Sequence, residues 1–367
     1  MRFREFLSAE SAKEMADLAE AKAEMSARFL RPQAGIRTEA YAARAAAAAT
    51  PVQNVVGVGI DEKFTDGVPT GVLAVKFLVK HKLPLSTILK NELLPKSAAG
   101  YATDVEEVGL IVPQAKQQPG GGGKAPGPVP NPRSRIRPAQ PGCSIGFADP
   151  KNSFRMAGTF GLVVKDAKGK RYLLSNNHVL AFESGVEHDG VTRRLGLPVG
   201  TPIFQPGLLD GGSVARDVIA KLTRWVDLRA DRPDNMVDGA IAELTPQNVA
   251  ISDILFIGAP QGTAQATKDM IVHKFGRTTL YSAGRVSSVT FDVTIPYEVG
   301  NVIFTDQIAI RGLSGRRFSD SGDSGSAIVE RETRQVVGLL FAGATNGSLT
   351  FANHLADVLA ALRIDLA

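Results

Sequence analysis

The sequence predicts a mainly β protein: an all-β domain closed by one helix, preceded by helices and a small α/β unit. Three observations carry this. From Gly158 on, short apolar runs alternate with turns: GTFGLVVKD, RYLLS, DGAIAEL, MIVHKFG, GRVSSVTFDVTI, VIFTDQIAI, SAIVE and RQVVGLLFAG. One helical signal follows them, His354 to Ile364, with Leu355, Val358, Leu359 and Leu362 on one face. Ahead of them lies QAKQQPGGGGKAPGPVPNPRSRIRPAQPG, residues 114–142, so rich in glycine and proline that it has little to bury and reads as a linker. The organisation predicted is a helical segment over 1–50, a small α/β domain over 51–113, a linker over 114–140 and a β domain over 141–367.

The elements follow in order. Residues 8 to about 31 read as a helix, with Met15, Leu18, Met25 and Phe29 at helical spacing and Pro32 as its stop. Glu39 to Ala49 is alanine-rich and of high helix propensity. These helices could pack on the body of the chain or on a second copy, so a homo-oligomer built through them is possible. The period changes at Asn54: NVVGVGI and VLAVKFLV are strand-like and flank the turn-prone TDGVPTG. Leu85 to Leu93 reads as a short helix and DVEEVGLIV, 104–112, as a further strand. His81, between Lys80 and Lys82, reads as a surface residue.

Composition narrows the function. With 367 residues, 44% hydrophobic and 22% charged, the chain has globular composition and room for two or three domains. No apolar run reaches 18 residues, and the charged N-terminus MRFREFLSAESAKE lacks a secretory pattern, so no membrane span or export is expected. Cys143 is the single cysteine, which excludes an intrachain disulfide and favours a cytoplasmic setting. The net charge of +5 is spread out, without long basic runs and with few aromatics, so nucleic acid is not an expected partner. No HExxH or CxxC set is present, and neither metal nor cofactor is expected.

The stretch with chemistry in it is SDSGDSGSAI, residues 319–328. It sets Ser324 between glycines just before an apolar strand. A serine hydroxyl becomes a nucleophile only when a base takes its proton, and that base needs a buried carboxylate to fix its tautomer. Among the histidines of the β domain, His178 in YLLSNNHVLAF lies at a strand end beside a polar step; the alternative is a core histidine satisfied by backbone. His188 sits in a charged turn, His273 inside a strand where it is expected to face solvent or a sheet edge, and His354 at the start of the last helix. Asp238, in NMVDGAIAEL, enters an apolar strand and is the expected carboxylate, whereas Asp210, Asp217, Asp227, Asp231 and Asp234 read as solvated or loop residues. The N–H groups of Gly322 and Ser324 can point at one spot, where a carbonyl oxygen turns negative during attack. A side chain at Gly322 would disfavour that turn.

His178, Asp238 and Ser324, in that order and with the serine in Gly-Asp-Ser-Gly, resemble the chymotrypsin (trypsin-like) serine proteases. AGTFGLVV (157–164), VDGAIAEL, HKFGRTT (273–279) and VVGLLFAG (336–343) resemble further strands of that family, and the likeness covers about residues 141–367. The whole chain is similar to bacterial trypsin-like proteins related to the plant narrow-leaf protease family, through VVGVGI, PTG, LAVKFLV and RPAQPGCSIG. The resemblance implies a chymotrypsin-like double β-barrel peptidase that hydrolyses protein or peptide substrates through an acyl-enzyme. It also implies a primary pocket with Phe318 near its floor and Phe341, Ala342 and Gly343 on its wall, favouring an apolar or small side chain. In zymogen-type relatives Asp323 would pair with a freed N-terminus, for which Ser144 is the candidate here. Two readings compete: a serine endopeptidase, and a catalytically silent trypsin-like scaffold used as an oligomeric binding module. An α/β-hydrolase esterase does not fit, because the histidine comes first and the serine precedes a strand.

Overall fold

The computed structural model describes residues 9–30, 54–88, 90, 93–114, 130–148 and 156–367. The helix expected over Glu39–Ala49 and residues 115–129 of the expected linker lie outside them.

The β domain is two closed barrels. In the first, strands Ser144–Phe147, Pro202–Phe204, Val218–Trp225, Ala240–Leu244 and Arg171–Ser175 pair in that order. The run 158–165 closes the ring, pairing Ser144–Phe147 through Gly158 and Thr159 and Arg171–Ser175 through Leu162–Lys165. In the second, Ile271–Gly276, Leu280–Tyr297, Gly300–Gly312, Thr350–His354, Val336–Ala344 and Ala327–Glu330 pair in turn, and the last returns to the first. Six strands with inward apolar residues are filled by side chains alone: Leu173, Ile203, Ile219 and Ile241 in the first barrel, Val272, Val286, Ile310 and Ile328 in the second. The mainly β, double-barrel class is thus the observed one, and the terminal helix is Leu355–Leu362, with Leu355, Val358 and Leu362 buried.

The front segment continues the second barrel's sheet. Val55–Thr65 pairs with the distal half of Leu280–Tyr297, placing Gly57 opposite Val293. Val68–Val79 and then Tyr101–Glu107 extend it. Helix Ala9–Phe29 lays Leu18, Ala21 and Met25 on Val58, Ile60 and Phe77, and Lys22 meets Asp292 at 2.5 Å. A buried ion cluster pins the same junction: fully buried Lys76 faces Asp61 at 3.5 Å, and Arg311 of the barrel reaches Glu106 at 2.7 Å and Asp61 at 3.2 Å. The short helix expected near Leu85 is one 3-10 turn, Leu85–Thr87.

The strand expected over 104–112 is broken. Tyr101–Glu107 ends, the chain turns at Gly109 with φ of 72°, and Ile111–Pro113 leaves the front sheet. It joins strand Val336–Ala344 instead, antiparallel, with Pro113 opposite Ala342, Val112 opposite Gly343 and Ile111 opposite Ala344.

Candidate active site between the barrels

Strand Arg171–Ser175 of the first barrel ends at a polar step, and one helical turn, Asn177–Leu180, carries His178. Asp238 lies two residues before strand Ala240–Leu244, the neighbour of Arg171–Ser175, so adjacent strands deliver imidazole and carboxylate to one end of the barrel. His178 Nδ1 is hydrogen-bonded to Asp238 Oδ2, and both side chains are wholly buried. Asp238 Oδ1 accepts the His178 backbone N–H at 3.2 Å.

Two residues that sequence reasoning did not single out complete the carboxylate's setting, and both come from the second barrel. The Tyr297 hydroxyl donates to Asp238 Oδ2 at 2.7 Å, and Asn353 Oδ1 accepts the Asp238 N–H at 3.0 Å. Burial and the adjacent Asp238 push the Tyr297 phenol well above its ordinary range, so it remains a donor. Nearby, burial pushes the Glu183 carboxyl up to about 7, although the Glu298 N–H donates to it.

Ser324 sits at the mouth of the second barrel, just before strand Ala327–Glu330, and is fully buried. The turn needs its glycines. Gly322 has φ of 103°, and a Cβ there would lie 2.3 Å from Thr278 Oγ1; at Gly325, φ is 91° and a Cβ would lie 2.1 Å from Ser175 Oγ. The turn also bridges the barrels, since Ser324 O accepts the Thr159 N–H at 2.8 Å while the Gly325 N–H donates to Leu340 O at 2.8 Å.

Asp323 lies between these residues, wholly buried, with Lys274 Nζ at 3.3 Å. Its oxygens also accept the N–H of Thr278, Thr279 and Asp320 and the hydroxyl of Thr279. Burial alone would raise this carboxyl, but Lys274 and those donors hold it below the usual range, while burial pulls the Lys274 ammonium down. The partner role envisaged for a freed N-terminus is therefore filled by a lysine within the fold. Ser144 lies in a strand of the first barrel, its hydroxyl on Asp210 at 2.5 Å.

The N–H groups of Gly322 and Ser324 do converge, and an oxygen is already there. Both donate to the backbone carbonyl oxygen of Gln114, the second at 3.3 Å. The Ser324 hydroxyl donates to Phe341 O at 3.1 Å, and His178 Nε2, the nitrogen expected to face it, has no hydrogen-bond partner.

The expected pocket residues fall into two groups. The Phe341 side chain packs against Phe304, with ring centres 4.8 Å apart, and its backbone carbonyl faces Ser324 and Gln114. Ala342 and Gly343 line the strand that receives Val112 and Pro113, and a Cβ on Gly343 would strike the Gln114 amide 2.0 Å away. Phe318, by contrast, is packed among Val272, Val286, Ile310 and Ile328 in the second barrel's interior. The other histidines have partners elsewhere: His188 lies 3.4 Å from Ala230 O and His354 3.1 Å from Val289 O. His273 is buried rather than solvent-facing, against Tyr281. Asp227, Asp231 and Asp234 pair with Arg193, Arg229 and Arg232, Asp210 with Arg277, and Asp217 with Arg135. Among the described residues no cluster of His, Cys, Asp and Glu could hold a metal ion, and no helix is long and apolar enough to cross a membrane.

No protein-family model and no curated protein sequence matches the chain. Among solved structures it is similar to a glutamic acid-specific serine protease (17% identity, TM-score 0.43, covering 62% of this chain and 100% of that one). It is also similar to Thermobifida fusca protease A (14%, TM-score 0.41, 62% and 99%) and to the MamO protease domain of Magnetospirillum magneticum (12%, TM-score 0.34, 59% and 94%).

Proposed function

We propose that the protein is a serine endopeptidase that cleaves peptide or protein substrates with His178, Asp238 and Ser324 as its catalytic residues. The observations that support the reading are the convergence of two backbone donors, Gly322 N–H and Ser324 N–H, on one carbonyl oxygen, and a buried imidazole–carboxylate pair, His178–Asp238. Donors held in place before reaction stabilise the oxyanion, each by about 2.7–4 kcal/mol. In the mechanism, Ser324 Oγ turns from Phe341 O to His178 Nε2, gives up its proton there and attacks the substrate carbonyl. His178 passes the proton to the leaving amine, Asp238 holds the imidazole's tautomer, and water releases the acyl group. An unpartnered buried nitrogen is costly, and accepting this proton is a role that accounts for His178 Nε2. We take the chain's relatives to be the bacterial trypsin-like proteins akin to the narrow-leaf proteases, and its setting to be cytoplasmic.

One observation favours the second reading, a silent scaffold: the Ser324 hydroxyl is bonded to Phe341 O and not to His178. A fluorophosphonate probe separates the two. Labelling of wild type that disappears in Ser324→Ala and His178→Ala supports the hydrolase; wild type that stays unlabelled supports the scaffold.

A further inference from the structure

The strand that leaves the front sheet ends where a substrate would. Ile111–Pro113 runs antiparallel to Val336–Ala344. One residue on, the Gln114 N–H donates to Phe341 O at 3.2 Å and the Gln114 carbonyl oxygen takes both oxyanion donors. An extended peptide bound by adding a strand gains affinity from main-chain hydrogen bonds and selectivity from its alternate side chains. Here the side chains next to the reacting carbonyl are Pro113 and Gln114. The Gln114 amide lies against Gly343, in space that only a residue without a Cβ leaves open, and it is buried with its Oε1 unpartnered. The strand is anchored upstream: Ile111 and Val108 pack with Phe341, Ala342 and Ala344, Thr345 N–H donates to Leu110 O at 2.8 Å, and Asn346 Nδ2 donates to Glu107 O at 2.9 Å.

We propose, resting on the hydrolase reading above, that residues 111–114 are this enzyme's own bound peptide. The substrate class is peptides with glutamine before the cleaved bond, and the first such bond is the one on the carboxyl side of Gln114, joining it to Ala115. The step needs only water. Ser324 Oγ bonds to the Gln114 carbonyl carbon while His178 takes the hydroxyl proton. The C–N bond to Ala115 breaks, and His178 returns the proton to the departing amine. Water then adds to the ester, loses a proton through His178 to Ser324, and leaves a carboxylate on Gln114 and a new amino terminus on Ala115. Covalent attachment gives the strand an effective concentration of about millimolar, so it outcompetes free peptides until it is cut, and its carboxylate end remains in the groove afterwards. The expectation of an apolar or small side chain, drawn from Phe318, gives way in this proposal to an uncharged amide.

The test follows the intact mass and the N-terminal sequences of purified full-length protein over time, with fluorophosphonate labelling of the same samples. Wild type is expected to yield one fragment ending at Gln114 and one beginning at Ala115, while Ser324→Ala stays whole. Gln114→Arg, which puts a charge where the amide sits, and Val112→Pro, which removes a donor from the pairing strand, are each expected to slow that cut at least ten-fold while still taking the probe. Wild type that labels but stays whole, or is cut at another bond, overturns the inference and leaves the hydrolase reading standing. Gln114→Arg cut as fast as wild type also overturns it. Wild type that neither labels nor cuts removes both.

Discussion

Lys274→Met isolates the support under the Ser324 turn. Lys274 and Asp323 are both wholly buried, 3.3 Å apart, and Asp323 is the residue between Gly322 and Ser324. Removing one partner of a buried ion pair leaves an uncompensated charge and costs about 3–5 kcal/mol. Asp323 would keep the N–H groups of Thr278, Thr279 and Asp320 and the Thr279 hydroxyl, which places the expected loss near the low end, about 3 kcal/mol. For a domain of this size each kcal/mol moves the melting temperature by about 2–4 °C, so the variant should melt about 6–12 °C lower. Because the uncompensated carboxylate sits in the turn itself, fluorophosphonate labelling should fall at least ten-fold. Without Lys274 burial dominates and the Asp323 carboxyl rises. A carboxyl raised by burial costs stability as pH rises through the window between its unfolded and folded values, so the variant's deficit should be largest near neutral pH and shrink as pH falls, whereas wild type, whose Asp323 is lowered, loses that contribution as pH falls. The double variant Lys274→Met/Asp323→Asn removes both charges and should recover at least half of the melting-temperature loss, since the coupling of the pair then drops out. A single variant that melts within 2 °C of wild type, or a double variant no better than the single, would refute the claim that this pair braces the turn.

Three further outcomes follow. Asp238→Asn should lower the labelling and turnover rates by about 10⁴-fold by favouring the wrong tautomer of His178, with far-ultraviolet circular dichroism unchanged; a loss under ten-fold would speak against its role. Gly322→Ala, forced into a φ of 103° with a Cβ against Thr278, should displace an oxyanion donor and cut the rate about 10²–10³-fold, read by probe kinetics. Glu183→Gln tests the buried carboxyl near 7. Its folded value is raised, so the native state binds more protons than the unfolded chain between about 4.3 and that value, and stability falls as pH rises through that window. The variant, whose amide still accepts the Glu298 N–H, should gain up to about 3 kcal/mol over wild type at pH 8 and little at pH 4. Parallel melting curves at the two pH values would contradict this.

How much of this was legible depended on whether the signal was local. The short strands of both barrels were written in short apolar runs set between turns, and the Ser324 turn in its glycines, because backbone geometry there admits few other residues. The expected contact of His178 with Asp238 is present, and both were singled out as polar residues at the edges of apolar strands. What stayed hidden is set by contacts between distant residues. Tyr297 and Asn353 reach Asp238 from the other barrel, and nothing in PYEVG or FANHL marks them. Nothing in MIVHKFG marks Lys274, whose side chain is wholly buried against Asp323. Phe318 was assigned to the pocket floor by family resemblance alone, which is blind to the packing that draws a phenylalanine ring into an apolar interior.

Glycine at 109 shows how one local break produces a consequence at long range. With φ of 72°, Gly109 turns the chain out of the front sheet just after Glu107. From there Leu110 to Gln114 follow residues 341–345, more than 220 positions further along the sequence. Read alone, EVGLIVPQ is the last strand of a small domain meeting a linker. In the fold those residues fill the groove that the strand Val336–Ala344 offers. The segment that separates the two halves of the chain in sequence therefore begins inside the crevice where the chemistry is proposed. That placement makes the front unit part of the site. It is held to the second barrel by Lys22–Asp292 and by the Lys76–Asp61–Arg311 cluster, so the strand's register in the groove is fixed by a body docked on the same barrel that carries Ser324.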